Sequence, residues 1–485
     1  MVSSLEKFSS ETVHDELASS DIDERKLLLK IDLHVLPYIC VMYTLAFLDR
    51  VNISNAVLFG LKDDLKLVGN QYSTALVIFF VPYILCEIPS NILLKKLKPH
   101  VWLSICMTMF GVVTMLQGFV QNFGGLMATR WFLGVFEAGM FPGCFYLLAM
   151  WYRREESQKR YTFFFCSTTL AGAFGGLLAS AIGKMDGVRG YGGWRWVFIL
   201  ELSKIIHPEG LATALFGIAW FFLLPDFPEE AKFLSQEERN FVKKRLAADV
   251  GASAHQEKAT WRDILAVFKD YKIIIGGFAY FGLIVPAYGY AYFAPTIINQ
   301  LGYGAIQSQL HSVPPWAAAF GFAMTLAFIS DRLRHRWFFT FISGAVCLIG
   351  FAILLSDPSR HSVKYGALFL AASGAYTSMP IIVGWFNTNL AGHTRRSVGS
   401  AWQVSFGNIG GIIAAFSFPT GDGPKYIKGY AICMAFVCLS MASSAAYLLA
   451  LILDNRSRAR STQPEVTEKE REKLGDLNHD YRYMY

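Results

Sequence analysis

The sequence predicts an all-α membrane protein of about twelve transmembrane helices in two pseudo-symmetric six-helix bundles. Three observations predict it. Of 485 residues, 53% are hydrophobic and only 17% are charged, with a mean hydropathy of +0.35; soluble domains carry about 25% charged residues. Both ends and the middle of the chain are polar, so the remaining stretches are nearly charge-free. Those stretches are each close to the roughly 20 residues that cross about 30 Å of hydrocarbon. Landmarks in the first half also return in the second at one fixed spacing.

Residues 1–32 form a polar tail with no cleavable signal pattern. Apolar runs follow at 34–57, 72–94, 101–121, 125–150, 161–183 and 196–224, a first bundle over 33–226. The polar stretch 227–271 holds Glu237, Glu238, Arg239, Lys243, Lys244 and Arg245, a pattern expected to lie as a short amphipathic helix on the membrane surface. Runs at 273–298, 309–330, 337–356, 364–390, 397–419 and 429–453 give a second bundle over 272–453, followed by a charged tail, 454–485.

The net charge of +7 is spread as short clusters between runs, which argues against a nucleic-acid-binding stripe. Lys95, Lys96 and Lys98, then Arg153, Arg154, Lys159 and Arg160, then Arg332, Arg334 and Arg336, then Arg395 and Arg396 all fall on one side if the runs alternate. That side is expected to be cytoplasmic, with both tails. Lys184, Arg189, Arg360 and Lys425 on the other side dilute the bias. The eight cysteines lie mostly within apolar runs and form no CxxC pair, so they read as buried thiols.

The internal repeat rests on three pairs. Gly172, Gly175 and Gly176 form GxxGG in the fifth run, and Gly407, Gly410 and Gly411 repeat it in the eleventh. Arg160 and Arg395 precede them, and Lys96 and Asp331 occupy matching loops. The offsets agree at 235 (407 − 172, 395 − 160, 331 − 96), as a duplicated bundle requires. The glycines allow close helix approach, which drives association in lipid.

Ionisable residues at lipid depth are costly and mark functional sites. Rising about 1.5 Å per residue, Arg50 lies about 24 Å into the first span and Arg130 about 7 Å from the opposite surface, so the two share a depth. Glu137 is two turns from Arg130 on the same face, nearer the midplane, and Asp49 is placed to pair with Arg50 or Arg130. Snorkelling to headgroups is the alternative for the arginines. Glu87, Pro89, Ser90 and Asn91 form a polar patch low in the second span, suited to helix bending and interhelical bonding, with Tyr83 one turn away facing the interior. Tyr280, Tyr288, Tyr290 and Tyr292 crowd the seventh span, one or two of them as pocket lining. Trp385, Asn387 and Asn389 end the tenth with no role assigned. Asp331 opposes the local helix dipole unless it faces another helix N-terminus or an arginine such as Arg332 or Arg336, an arrangement suited to gating.

The motifs Leu48-Asp49-Arg50-Val51-Asn52, Glu87-Ile88-Pro89-Ser90-Asn91 and Arg130-Trp131-Phe132-Leu133-Gly134, the last running on through Glu137 to Trp151-Tyr152-Arg153-Arg154-Glu155, resemble the major facilitator superfamily. So do Leu224-Pro225-Asp226-Phe227-Pro228, Ser330-Asp331-Arg332, Arg395-Arg396 with Gly407-Asn408, and Asp480-Tyr481-Arg482-Tyr483-Met484. Within that superfamily the resemblance is to fungal anion:cation symporters, which include allantoate, nicotinate and pantothenate permeases, and it looks closest to the nicotinate-permease-like branch. It spans nearly the whole chain. It implies a monomeric plasma-membrane carrier with no cofactor beyond the proton gradient. Two features depart from the family. The loop after the second span is basic, with Lys95 and Lys96, where an acid is usual. Residues 202–209 interrupt the sixth run, and Lys204, His207 and Pro208 would break it, which points to a gene-model splice error, with a functional insert as the alternative.

The charges suggest a mechanism. Arg50 and Arg130 stay protonated and offer fixed positive charge to a small organic anion, with Tyr83 beside them. Glu137 and Asp49 can take up protons. An anion that neutralises the arginine field strengthens proton binding, and the reciprocal coupling is symport. Asp331, Arg332, Glu87 and Asn91 are the gating candidates. The expected partners are the anion, a proton and the lipid bilayer, with no nucleic acid. An antiport exporter and a non-transporting nutrient sensor are the competing readings. With no metal-spaced His or Cys cluster, phosphate-binding loop or nucleophile–base pair in the sequence, no enzyme is expected.

Overall fold

The computed structural model describes residues 22–199, 209–250, 265–333, 335–356, 360–390, 393–460 and 481–485, apart from a few side chains such as those of Lys95 and Asp331. The described residues are helical throughout, with short connections. The first half comprises α1 (Glu24–Leu58), α2 (Gln71–Lys96), α3 (Pro99–Gln117), α4 (Phe123–Glu137), α5 (Met140–Trp151), α6 (Arg154–Ile182), α7 (Gly193–Ile199) and α8 (Glu209–Leu223). The second comprises α10 (Tyr271–Asn299), α11 (Ala305–Leu333), α12 (Arg336–Leu355), α13 (His361–Thr388), α14 (His393–Ser417) and α15 (Ile427–Arg460), with α9 (Gln236–Val250) between the halves. Among the described residues, ten helical segments are long and apolar enough to cross a membrane. The fourth run is carried by α4 and α5 in succession, and the sixth by α7 and α8. Of the suspected insertion 202–209, residues 202–208 lie outside the described residues, between α7 and α8, and Glu209 begins α8.

Two ends differ from the hydropathy reading. α1 starts at Glu24, well before the apolar run, because the Asp23 side chain accepts from the Arg25 and Lys26 N–H groups and caps the helix. α9 does not lie free on a membrane surface. It seats Phe241, Val242 and Arg245 against the first half, and Arg245 is ion-paired to Glu24 and Glu156. Helices enter from the side carrying Glu24 and Arg460, called here the terminal side; the opposite side is the distal side.

The duplication is visible in the contacts. On the terminal side, Arg160 at the start of α6 pairs with Asp32 of α1 at 2.7 Å, and Arg395 at the start of α14 pairs with Asp270, the N-cap of α10, at 2.5 Å. Three of the six GxxGG glycines, Gly172, Gly176 and Gly411, meet the opposite half. A Cβ on Gly176 of α6 would lie 2.5 Å from Ser312 Oγ and 2.8 Å from the Gln309 carbonyl of α11, and Gly172 faces the Trp316 ring. In mirror fashion, Gly411 of α14 faces the Phe80 ring of α2. Only hydrogen fits at such crossings. The Ser312, Gln309 and Trp316 contacts lie in the distal part of α6 and α11. There Gln309 also donates to the Asn55 carbonyl and Ser54 Oγ to the Ala291 carbonyl, so the halves meet on the distal side.

Candidate functional site

The four charges singled out by depth are interior groups. Asp49, Arg50, Arg130 and Glu137 are at most 3% exposed, which excludes headgroup snorkelling. α1 supplies Asp49 and Arg50 on adjacent faces, and α4 supplies Arg130 and Glu137 two turns apart. Arg50 Nε donates to Glu137 Oε1 at 2.9 Å, and Arg50 NH2 forms an ion pair with the same oxygen. Arg50 NH1 donates to the Tyr288 hydroxyl of α10, crossing from one half to the other. The guanidinium also lies 5.2 Å from both the Phe79 and Tyr83 ring centres, within cation–π range. Arg130 NH1 donates to the Arg50 carbonyl at 3.2 Å, which supports the equal-depth argument.

A cavity of about 30 Å³, room for about one water molecule, opens on Arg50. Among the described residues, Arg50 is its one cation. Tyr43, Phe47, Tyr83, Tyr280, Tyr288 and Tyr376 stand in its wall, with Thr168 and Asn408 as polar points. Tyr280 and Tyr288 are thus the pocket tyrosines of the seventh run. Tyr292 stacks on Tyr288 at 5.4 Å, and Tyr290 packs on Trp316.

Several expectations are corrected. Arg130 does not line this cavity; it lies behind Arg50, with Nε and NH2 lacking hydrogen-bond partners among the described residues. Asp49 hydrogen-bonds neither arginine. Its Oδ2 accepts from Thr114 Oγ1 at 3.4 Å and Thr213 Oγ1 at 3.3 Å, because its side chain points to α3 and α8. Glu87 is buried and accepts from Ser405 Oγ of α14 at 2.8 Å, a bond between halves, whereas Asn91 is half-buried one turn on. Arg332 is exposed at the end of α11, the Asp331 side chain lies outside those described, and Arg336 donates to Thr388 Oγ1. The proposed Asp331 gate therefore has no described geometry.

Sequence reasoning missed Tyr43, Phe47, Thr168, Tyr376 and Asn408. The spacing Tyr43, Phe47, Arg50 (i, i+4, i+7) is a one-face helical signal that would have found the first two. Tyr376 and Asn408 stand on helices with no charged neighbour at that depth to flag them.

The sequence signature of the Major Facilitator Superfamily matches residues 39–415. The MFS-type transporter cnsO of Penicillium expansum is 32% identical over 99% of this chain and 93% of its own length. The major facilitator-type transporter hxnP of Emericella nidulans is 33% identical over 83% of this chain and 81% of its own. The fold is shared, at 15% identity and a TM-score of 0.62, with the crystal structure of a bacterial homolog to the human lysosomal transporter Spinster, covering 86% of this chain and 96% of that one. The duplicated helical bundles, the interior charges and these relatives together place the chain in the Major Facilitator Superfamily, as a multi-pass membrane transporter.

Proposed function

We propose that the transporter carries a small organic anion into the cell together with a proton, in the manner of the anion:cation symporters, and that the anion is a planar ring carboxylate. The observation that carries this reading is the Arg50–Glu137 pair: Arg50 lines the cavity while its counter-ion stands behind it. A substrate carboxylate competes with Glu137 for the guanidinium. Glu137, buried and deprived of its cation, then takes up a proton, since an isolated carboxylate in a low-dielectric interior is costly. Linkage makes the effect mutual, so protonation of Glu137 strengthens anion binding. Net charge movement also favours the pairing, because a lone monoanion entering a negative cell opposes about 2.3 kcal/mol per 100 mV.

The cavity of about 30 Å³ must widen to admit a substrate; its tyrosine and phenylalanine residues around Arg50 would then favour a flat unsaturated ring over an aliphatic chain, by ring stacking and edge contacts worth about 0.5–1.5 kcal/mol each. The meeting of the halves on the distal side supports a terminal-side-accessible state, and rocking of the bundles would expose the cavity alternately.

The test is uptake of labelled ring and aliphatic carboxylates at two external pH values, in right-side-out and inside-out vesicles. Concentrative uptake of a ring carboxylate should be stronger at the lower external pH. Glu137→Gln should lose pH-driven accumulation yet keep counterflow exchange. Unchanged accumulation in that variant would remove Glu137 from the mechanism, and pH-driven flux in the opposite direction would make the protein an antiporter.

A further inference from the structure

Residues 481–485, part of a motif that the transport site does not use, lie in a built site at the terminal-side end of the second half. Two asparagines each clamp both backbone groups of one residue. Asn389 Oδ1 accepts from Met484 N at 2.8 Å and Asn389 Nδ2 donates to Met484 O at 2.9 Å. Asn455 Oδ1 accepts from Tyr483 N and Asn455 Nδ2 donates to Tyr483 O, both at 3.0 Å. Trp385 Nε1 also donates to Met484 O, and the Arg336 N–H to Tyr485 O, each at 3.0 Å. The Tyr483 ring is buried with Arg458 4.5 Å from its centre and Lys272 4.8 Å. Tyr481 donates its hydroxyl to the Thr388 carbonyl at 3.0 Å.

The clamps belong to different helices. Asn389, Thr388 and Trp385 end α13, Asn455 and Arg458 end α15, Arg336 begins α12 and Lys272 begins α10. The segment therefore stitches α13 to α15 at the end where each would otherwise fray. α13 also lines the cavity with Tyr376 and Met379 and packs against α6 of the first half. Recognition is of backbone plus one ring between two cations, which is how a peptide ligand is held.

We propose that this is a peptide-binding site whose ligand is the chain's own 481–485, and that its occupancy holds α13 against α15 and so favours the distal-closed state seen here. Release frees the end of α13 to swing toward the first half, which closes the terminal side and opens the distal one. The inference needs only rocking bundles, not a particular substrate.

The test severs the segment after folding, through a protease site placed between residues 461 and 480 of the full chain, and reads hydrogen–deuterium exchange. Cutting, then washing, should raise exchange at 383–390. It should also raise exchange at 305–313, across the molecule on α11, by about threefold or more. A free peptide of residues 480–485 should reverse both, and the same peptide with Tyr483→Ala should reverse neither. A chain carrying Tyr483→Ala and cut in the same way ensures release if the native segment stays bound. Faster exchange confined to 383–390 would reduce the segment to a local clip and overturn the proposal, as would no change at either place in the released state.

Discussion

The Arg50 guanidinium meets Glu137 with Nε and NH2 and Tyr288 with NH1, so its planar shape is used in full. Lysine carries the same charge but cannot form that fork. Arg50→Lys is expected to raise the transport KM about ten- to hundredfold while the protein still reaches the membrane. Arg50→Ala leaves Glu137 buried without its cation and should destabilise the fold by about 3–5 kcal/mol, seen as early thermal aggregation in detergent. Arg50, Arg130 and Glu137 were legible because charges at lipid depth are few and depth follows from counting residues along a helix. The true partners of Asp49 were not legible: Thr114 and Thr213 are 65 and 164 positions away, and a threonine in an apolar helix announces nothing. The exclusion of Arg130 from the cavity also depends on which guanidinium stands in front, a matter of packing.

The helices meet where side chains are smallest. Gly176→Leu would drive a branched side chain into Ser312 and the Gln309 carbonyl, and the backbone oxygen cannot yield cheaply. Overpacking of this kind costs about 1–3 kcal/mol. Because the contact joins the halves on the distal side, the proposed rocking would break it, and that cost would then fall on the distal-closed state. Hydrogen exchange on the distal part of α11 should rise in Gly176→Leu, with little change in the total amount of folded protein. The GxxGG repeat foretold close helix approach, but not that Gly172, Gly176 and Gly411 would face the other half while Gly175, Gly407 and Gly410 pack within their own, since a helix sequence does not name its neighbour.

α9 supplies a pH-dependent contact outside the membrane. Glu238 accepts from the Ser235 N–H at 2.7 Å in a capping box, with Glu238 N donating back to Ser235 Oγ, and holds Lys30 of α1 at 2.8 Å. Slight burial pushes its carboxyl up, but the Lys30 ammonium and the Ser235 donors outweigh this and hold it below the usual glutamate range. The anchoring is therefore complete above the ordinary glutamate pKa and is lost as pH falls through the lowered one. Trypsin cleavage at Lys243 and Lys244 should quicken at acidic pH in the native protein, and Glu238→Gln should be fast at all pH values.

At the scale of the whole molecule, the two halves share a skeleton but not a chemistry. The terminal-side pairs Asp32–Arg160 and Asp270–Arg395 are repeat equivalents, foreshadowed by the arginines at the 235 offset. The site charges have no such equivalents. Beyond Lys272, α10 carries no charged residue, and beyond Lys364 neither does α13. The first half thus supplies the charge, with Arg50 in the wall beside Tyr43, Phe47, Tyr83 and Thr168 and with Glu137 behind it, and the second supplies only uncharged wall residues such as Tyr280, Tyr288, Tyr376 and Asn408. Twelve apolar runs and one offset were enough to read the duplicated fold. This asymmetry of the cavity emerged only when the walls were seen together.

That asymmetry separates two properties which a single pocket would otherwise entangle. Altering Asn408 or Tyr376 should change which acid competes best for entry while leaving the dependence on external pH intact, measurable as a reordered inhibition series with an unmoved pH profile. On the proposed symport, a lineage could retune its substrate through second-half wall residues while leaving the Arg50–Glu137 pair of the first half untouched. The old duplication would have left behind an engine and an interchangeable intake.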